Sequence, residues 1–398
     1  MFLSVAANFD SKLIPRLAEH HVHEVYGKFP SDLVGGGRPS YMGTPLSFRK
    51  LRRYVADLKK YGIAFNYLLN SSCLGNREWD GRWQRNLCGF LNRLDNAGVE
   101  RVTVATPYLL ELIKIRFPQF QVKAGIYAQI DTPERARFWE DLGADALTLE
   151  SFSINRDFKR LTRIREAVSC ELQLIANHLC LPNCPMQPYH QNGFSHASDG
   201  SRNLYLDYCF LKCTLLRLKE PMLFVRSAWI RPEDLPEYEK IGYTSFKLLE
   251  RGIPSENLLQ RVEAYGNRSF SGNLADLFLS HGFRQPLKRE PGWLLRHFLH
   301  PRSILPWRLK PLVDLARRQG MLFQLQNQPI IIHSDRIPGD FIDRFRNGSC
   351  AGWNCRSCGR CSEIARDAVE IKPDYLRESL LDLDNGLHAL ASGSLWNA

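Results

Sequence analysis

The chain has 398 residues, of which 44% are hydrophobic, so it can bury a sizeable core, and this excludes a disordered protein. Its formal net charge of +11 at pH 7 permits a polyanionic partner such as RNA, or acidic small substrates. No apolar run reaches the roughly 18 residues of a membrane-spanning helix, so no membrane span is expected.

The first ten residues predict a strand and not a signal peptide. A basic leading region is missing, and Asp10 and Lys12 interrupt the apolar stretch. We therefore expect a reducing compartment, the cytoplasm. Clustered cysteines in such a compartment are more often metal ligands than disulfides.

Short apolar strands alternate with helical patterns up to about residue 265, which predicts parallel βαβ units. Predicted strands are Leu3–Ala7, Val22–Tyr26, Ile63–Leu68, Arg101–Ala105, Val122–Tyr127, Ala146–Glu150, Glu171–Ala176 and Ser245–Leu249. Predicted helices between them are Leu13–His21, Leu51–Tyr61, Arg82–Ala97, Pro107–Arg116, Pro133–Leu142 and Arg156–Ala167. Eight such strands predict an α/β fold of the (β/α)8, TIM-like barrel type.

Three parts are predicted along the chain. The barrel occupies residues 1–275, a basic connecting segment occupies 276–328, and a small cysteine-rich region that binds iron–sulfur or zinc occupies 329–398. A strand is predicted at Pro329–His333, with helical patterns at Arg366–Glu370 and Leu380–Ala391.

Barrel enzymes place their chemistry in the loops that follow the strands. Arg38 follows the second strand, Glu150 ends the sixth, His178 follows the seventh and Arg251 follows the eighth. Glu150 and His178 are candidate proton carriers, and the two arginines are candidates to clamp a carboxylate or phosphate. Salt bridges at the barrel rim are the alternative interpretation.

A first cysteine group consists of Cys180 and Cys184, followed by Cys209 and Cys213. Two prolines flank Cys184, so we expect a stiff, non-helical loop there. The second pair has i,i+4 spacing, which places both thiols on one face of a helix. Four thiols from one loop and one helix predict a metal-cluster site, with four unrelated buried cysteines as the alternative.

Three histidines are predicted to lie in the same loop as the first cysteine pair: His178, His190 and His196. They are candidates for hydrogen bonds to metal ligands, for substrate contacts or for acid–base groups. Hydrogen bonding to the backbone is the alternative. His178 is favoured because it directly follows a predicted strand end.

A second cysteine group consists of Cys350, Cys355, Cys358 and Cys361. Its spacings are typical of ferredoxin clusters, and the C-x2-C pairs are also typical of zinc sites. The site is predicted to be structural or to relay electrons to the barrel, with iron–sulfur or zinc as its metal.

The segment from residue 283 to residue 318 has nine Lys or Arg residues and two acidic ones, with Trp293, Phe298 and Trp307 interleaved. Its prolines argue against one continuous helix, so it is interpreted as a connector. The alternative is an RNA-binding segment, since positive charge binds phosphates and aromatic rings stack on bases.

The stretches ELQLIANHLCLPNC and CFLKC, followed by FKLLERG, resemble the collagenase-like peptidase family U32, over roughly residues 1–275. This resemblance implies a (β/α)8 barrel with a 4Fe–4S cluster on four cysteines. It also implies, from several members, oxygen-independent hydroxylation of RNA or of a ubiquinone precursor. Cys180, Cys184 and Cys209 match the family's ligands. Other members take the fourth ligand from a later strand, where this chain has no cysteine, so Cys213 is the substitute.

The sequence therefore predicts an iron–sulfur-dependent redox enzyme that resembles oxygen-independent hydroxylases and acts on a small molecule or an RNA base. One 4Fe–4S cluster is expected, with a second cluster or zinc at the C-terminal site, and an electron donor or partner protein. The alternatives are an RNA-binding or RNA-modifying protein, a non-catalytic cluster-bearing subunit, and a peptidase. Peptidase motifs are weak, since H-E-x-x-H is missing and the stretch from Gly193 to Ala197 lacks the last glycine of G-x-S-x-G.

Overall fold

The structure is a computed structural model that describes residues 1–37, 45–199, 207–249, 253–278, 328–348, 350 and 355–395. Two of the predicted site residues, Arg38 and Arg251, lie outside the described residues, as does the whole of 283–318. The chain forms two compact units. The first comprises Met1–Asn203, Ala228–Phe270 and Ile342–Cys350, and the second comprises Leu204–Ser227, Ser271–Phe341 and Ala351–Ala398.

Eight parallel strands of the first unit close into a barrel in the order β1 to β8, with β8 pairing β1. The barrel strands are β1 (Phe2–Ala6), β2 (Val22–Gly27), β3 (Ala64–Leu69), β4 (Arg101–Val104), β5 (Gln121–Ala124), β6 (Ala146–Thr148), β7 (Glu171–Ile175) and β8 (Ser245–Lys247), and a separate sheet contains β9 (Ile330–Ile332) and β10 (Val369–Ile371). The predicted TIM-like barrel is confirmed, and each of its strands overlaps its predicted range.

The helices are α1 (Ile14–Glu19), α2 (Phe48–Lys59), α3 (Gly81–Asn96), α4 (Pro107–Arg116), α5 (Pro133–Asp141), α6 (Ser151–Ile154), α7 (Phe158–Ala167), α8 (Gln187–His196), α9 (Tyr208–Lys219), α10 (Met222–Arg226), α11 (Leu235–Glu239), α12 (Ser255–Gly266), α13 (Asp343–Arg346), α14 (Cys355–Cys358), α15 (Arg360–Ala368) and α16 (Pro373–Ala391). Short 3-10 turns lie at Ser11–Leu13, Arg77–Trp79, Ile126–Ala128, Pro232–Asp234, Leu274–Asp276, Ser334–Arg336 and Gly339–Ile342. In the described part of the chain, no helix has both the length and the hydrophobicity that a bilayer crossing requires.

Helix α2 shows why these helices form where they do. Its buried residues Leu51, Tyr54, Val55 and Leu58 recur at helical spacing and face the barrel. Ser47 begins the helix, because its side chain accepts a hydrogen bond from the Lys50 amide, which otherwise has no partner in the first turn. Helices α3, α5 and α7 follow the same pattern, and the side chains of Asp80, Thr132 and Asp157 cap their starts.

Helix α8 corrects one expectation. The sequence indicated a loop through His190 and His196, whereas the chain is helical from Gln187 onward. Pro188 is compatible with this start, because a proline in the first turn lacks only an amide hydrogen that has no helical partner there. The part around Cys180 and Cys184 is non-helical, as predicted.

The second unit pairs β9 with β10 in antiparallel fashion, and it packs α16 on α9 and α15 on α10. Residues 204–227, which the sequence analysis placed in the barrel, belong to this unit. The predicted C-terminal strand and the helix predicted at Leu380–Ala391 are present. The helix predicted at Arg366–Glu370 is wrong at its end, because α15 stops at Ala368 and Val369 begins the unpredicted strand β10.

Candidate active site at the barrel mouth

The carboxyl end of β7 is held in place by Asn177, which is fully buried. Its side-chain amide donates to the Leu249 carbonyl (3.2 Å), and its oxygen accepts from the Leu249 amide (2.6 Å). These two bonds join the ends of β7 and β8, so the residue that follows, His178, leaves the barrel in a fixed direction.

His178 lies between a hydroxyl and a thiol. Its Nδ1 is 2.6 Å from Ser151 Oγ, and its Nε2 is 3.0 Å from Cys180 Sγ. Phe152 packs against the ring with centroids 4.9 Å apart. Each imidazole nitrogen therefore faces a group that can donate or accept a hydrogen bond, and the ring is held between Ser151 and Cys180.

Helix α8 supplies amide side chains on the same side of the barrel. Gln187 donates to Cys180 Sγ (3.6 Å), Gln191 donates to Gln187 (3.2 Å), and Gln129 donates to Gln191 (3.0 Å). The i,i+4 spacing of Gln187 and Gln191 places both on one helix face. Sequence reasoning missed these residues because it treated the segment as a loop.

The loop that carries Cys180 and Cys184 is held by backbone hydrogen bonds. The Cys180 carbonyl accepts from the Ala228 amide (3.2 Å), and the Asn183 amide donates to the Phe152 carbonyl (3.0 Å). Asn183 has a left-handed backbone with φ of 49°, a conformation that asparagine tolerates better than most residues. Both thiols are partly exposed.

Glu150 acts as the N-cap of α6. Its carboxylate accepts hydrogen bonds from the amides of Phe152 and Ser153 and from the Ser153 hydroxyl. Burial raises the pKa of this carboxyl, with a smaller contribution from Asp131, although the capping bonds oppose the shift. Its predicted role as a proton carrier stays a prediction, because both oxygens already take part in the cap.

The loop after β2 contains a buried ion pair that the sequence analysis missed. Lys28 Nζ lies 3.0 Å from Asp32, and it also donates to the Gly35 carbonyl (2.6 Å). Asp32 accepts from Tyr67 (2.8 Å) and from the Gly35 amide (2.8 Å). The i,i+4 lysine and aspartate were the available signal, and the pair fixes the glycine-rich turn that precedes Arg38.

In the second unit, α9 places Cys209 and Cys213 one turn apart, as predicted. Cys213 Sγ lies 3.4 Å from Arg217 Nη1 and 3.3 Å from the Phe210 carbonyl. Asp207 begins the helix by accepting from the Phe210 amide, and a carboxylate oxygen of Asp207 lies within 4.8 Å of Cys209 Sγ. These two contacts hold the Cys213 side chain in one orientation on α9.

Of the C-terminal cysteines, Cys355 and Cys358 lie on the single turn α14. Gly359, with φ of 67°, is the N-cap of α15, the helix that contains Cys361. Cys350 and Cys358 are exposed, and the other two are partly exposed. Glycine is needed at this turn, because other residues adopt a left-handed backbone only with strain.

No protein-family model matches this chain. An uncharacterized protease of Methanocaldococcus jannaschii is 34% identical over 277 residues, which make up 69% of this chain and 81% of that protein. The structure of a U32 peptidase is 22% identical and has a TM-score of 0.47, covering 63% of this chain and 93% of that chain. A D-psicose 3-epimerase structure is 13% identical and has a TM-score of 0.31, covering 50% of this chain and 82% of that chain.

Proposed function

The chain belongs to the U32 peptidase family, and from that premise we propose that it is a redox enzyme whose barrel holds an iron–sulfur cluster on cysteine thiolates. The observation that carries the proposal is the surroundings of Cys180, whose sulfur faces the imidazole of His178 and the amide of Gln187. Nitrogen donors directed at sulfur are typical of thiolates that bind metal.

The donor set fits such a group. Soft thiolate ligands select iron–sulfur clusters or zinc over hard cations. Cys180 and Cys184 are the proposed barrel ligands, and Cys209 and Cys213 are the further ligands that the sequence prediction supplies. When bound, the cluster would supply one-electron transfer. At the C-terminal group, Cys350, Cys355, Cys358 and Cys361, the choice between a second cluster and zinc stays open.

The protein's own groups have distinct proposed roles. His178 carries a proton between Ser151 and the site, since its two nitrogens face the hydroxyl and the thiol. Asn177 fixes the direction of that histidine. The proposed substrate is a small molecule or an RNA base, and the proposed partner is an electron donor.

Iron and sulfide analysis of protein purified without oxygen tests the cluster. We expect about four iron atoms and four sulfides per cluster. Cys180→Ala should lose one cluster and leave the C-terminal site filled. Cys88→Ala is the matched control, because Cys88 is buried on α3 outside both cysteine groups. Wild-type protein without iron and sulfide, or equal iron in the two variants, would reject the proposal.

Peptidase activity is the second candidate, because Ser151, His178 and Cys180 form a hydroxyl–imidazole–thiol chain. In that case His178 would take the Cys180 proton, and the thiolate would attack the peptide carbonyl to form a thioester while the C–N bond breaks and the amine leaves with that proton. Water would then hydrolyse the thioester and restore the thiol. The relative from Methanocaldococcus jannaschii is also described as a protease. Metal-free wild type that cleaves a fluorogenic peptide library, with all activity lost in Cys180→Ala, would favour the peptidase over the redox enzyme.

A further inference from the structure

The outer face of α2 is predominantly basic, and the acidic residue of this helix, Asp57, is half-buried and pairs with Lys60. Its buried face packs on the barrel, and every exposed position along the helix except Ala56 is a lysine or an arginine. These basic residues are Arg49, Lys50, Arg52, Arg53 and Lys59, and the C-cap residue Lys60 continues the row. An amphipathic helix with such a face presents several positive charges to solvent within about 18 Å of helix length.

A groove of about 460 Å³ runs between this face and α3. It is lined by Phe48, Arg49, Arg52, Arg53, Ala56, Arg93, Asn96 and Ala97. The Arg93 guanidinium lies 3.8 Å from the centroid of the Phe48 ring, so its flat face is held against the aromatic side chain. This contact fixes one positive charge at the wall of the groove.

The arginines of the groove differ from the neighbouring lysines in their surroundings. Among the described residues, no carboxylate lies within 4.0 Å of the guanidinium groups of Arg49, Arg52, Arg53 or Arg93, whereas Lys59 and Lys60 pair with acidic side chains. The groove between α5 and α7 is also different, because Glu134 and Glu166 stand among its arginines. Four guanidiniums in one groove repel each other, and an anionic ligand would remove that repulsion.

We propose that the α2–α3 groove binds the phosphodiester backbone of single-stranded RNA. Arginines one helical turn apart, at a rise of about 5.4 Å, can contact successive phosphates of one strand. The chain's charge of +11 attracts such a polyanion from a distance. This site lies on the outer surface of the barrel unit, and it does not depend on the proposed cluster.

A membrane surface fits the same helix less well. Helices that lie in a bilayer interface bury bulky apolar residues such as Trp, Phe or Leu between their basic ones. Of the bulky apolar residues of α2, Leu51, Tyr54, Val55 and Leu58 are buried against the protein. Phe48 is half-buried and lies against the Arg93 guanidinium, and the only fully exposed apolar residue of this helix is Ala56. Binding through charge alone is what a nucleic acid backbone requires.

Fluorescence anisotropy with a labelled, mixed-sequence 20-nucleotide RNA, over a series of salt concentrations, tests the site. The variant Arg49→Gln/Arg52→Gln/Arg53→Gln should bind at least about tenfold more weakly. Its log–log salt slope should fall by about 2, at about 0.7 for each phosphate that an arginine no longer neutralises. Replacing the same arginines by lysine should retain most of the binding, since the charge is kept.

The matched control is Arg116→Gln/Arg137→Gln/Arg163→Gln, which removes the same charge from exposed positions on α4, α5 and α7. This variant should stay within about threefold of wild type. Circular dichroism and the Tm of each variant establish that the fold is intact. Equal losses in the two triple variants, a wild type that does not bind RNA, or binding to anionic phosphatidylserine vesicles but not to RNA would overturn the proposal.

Discussion

Glu24 lies fully buried inside the barrel, within a polar network that spans five strands. It accepts hydrogen bonds from Ser4 (2.6 Å) and Asn66 (3.1 Å) and pairs with Lys123 (3.1 Å) and Arg101 (3.3 Å). Burial alone would raise the pKa of this carboxyl, but Lys123 and the hydrogen bonds outweigh it and hold the pKa well below its ordinary value. The charged form is therefore the one that the fold stabilises.

Removing the cation tests this network. Lys123→Met should lower the free energy of unfolding by about 3–5 kcal/mol at pH 7, because it leaves the buried Glu24 charge without its main partner. Lys114→Met is the matched control. Lys114 pairs with Asp145 at the surface (2.9 Å), so its loss should cost less than about 1 kcal/mol. Urea unfolding measures both, and equal losses would contradict the assignment.

The Glu24 carboxyl makes the free energy of unfolding fall as the pH is lowered. Since its pKa is lower in the folded state, its contribution is fully present above the unfolded pKa of about 4.3 and is lost as the pH falls below that value. Wild type should therefore lose stability between pH 5 and pH 3 more steeply than Lys123→Met, because the variant lacks the interaction that lowers the pKa. If the free energies of unfolding of wild type and Lys123→Met fell equally with pH, this expectation would be contradicted.

At the scale of elements, the turn after β2 depends on close contact with the loop after β3. Gly36 has φ of 96°, and a Cβ placed there would lie 2.6 Å from the Asn70 carbonyl carbon and the Ser71 amide nitrogen. Backbone atoms cannot rotate away as a flexible side chain does, so the turn fits there only with glycine.

Gly36→Ala should therefore destabilise the fold by about 2–5 kcal/mol, which combines the steric overlap with left-handed strain. Gly62→Ala is the matched control, since Gly62 has φ of 69° but no atom within 4 Å of the added Cβ. It should cost about 1 kcal/mol from backbone strain alone. Urea unfolding measures the two variants, and similar losses would show that the contact with the Asn70 loop does not constrain the turn.

The sequence was informative wherever local pattern decides the structure. All eight barrel strands and the six helices predicted between them are present, because apolar runs bounded by glycine or proline determine them locally. Helix α8 was missed because QPYHQNGFSH has few apolar residues, and β10 because three residues carry little periodicity. Sequence alone could name His178 and Cys180, but the contact of His178 with Ser151 is a tertiary one across 27 residues.

At the scale of the whole molecule, the second unit is built from three separate stretches of chain. Helices α9 and α10 come from the first stretch, 204–227, and they pack against α16 and α15 of the last. In α16, Leu383 and Leu387 are buried. A region that the sequence analysis treated as starting at residue 329 therefore draws part of its apolar core from residues far earlier in the chain.

A fragment of residues 329–398 should for this reason fail to fold alone. Without α9 and α10, the apolar faces of α15 and α16 lose their covering, and each exposed leucine costs about 1.5–3 kcal/mol. The pair of Lys219 with Asp384 (2.7 Å) is exposed, so its loss adds little. We expect poor dispersion in the amide NMR spectrum and no cooperative thermal transition, with and without added zinc.

Co-expression with a 204–278 peptide should restore structure if α9 and α10 supply the missing surface. Cooperative unfolding of the fragment by itself would show instead that its core is complete without them.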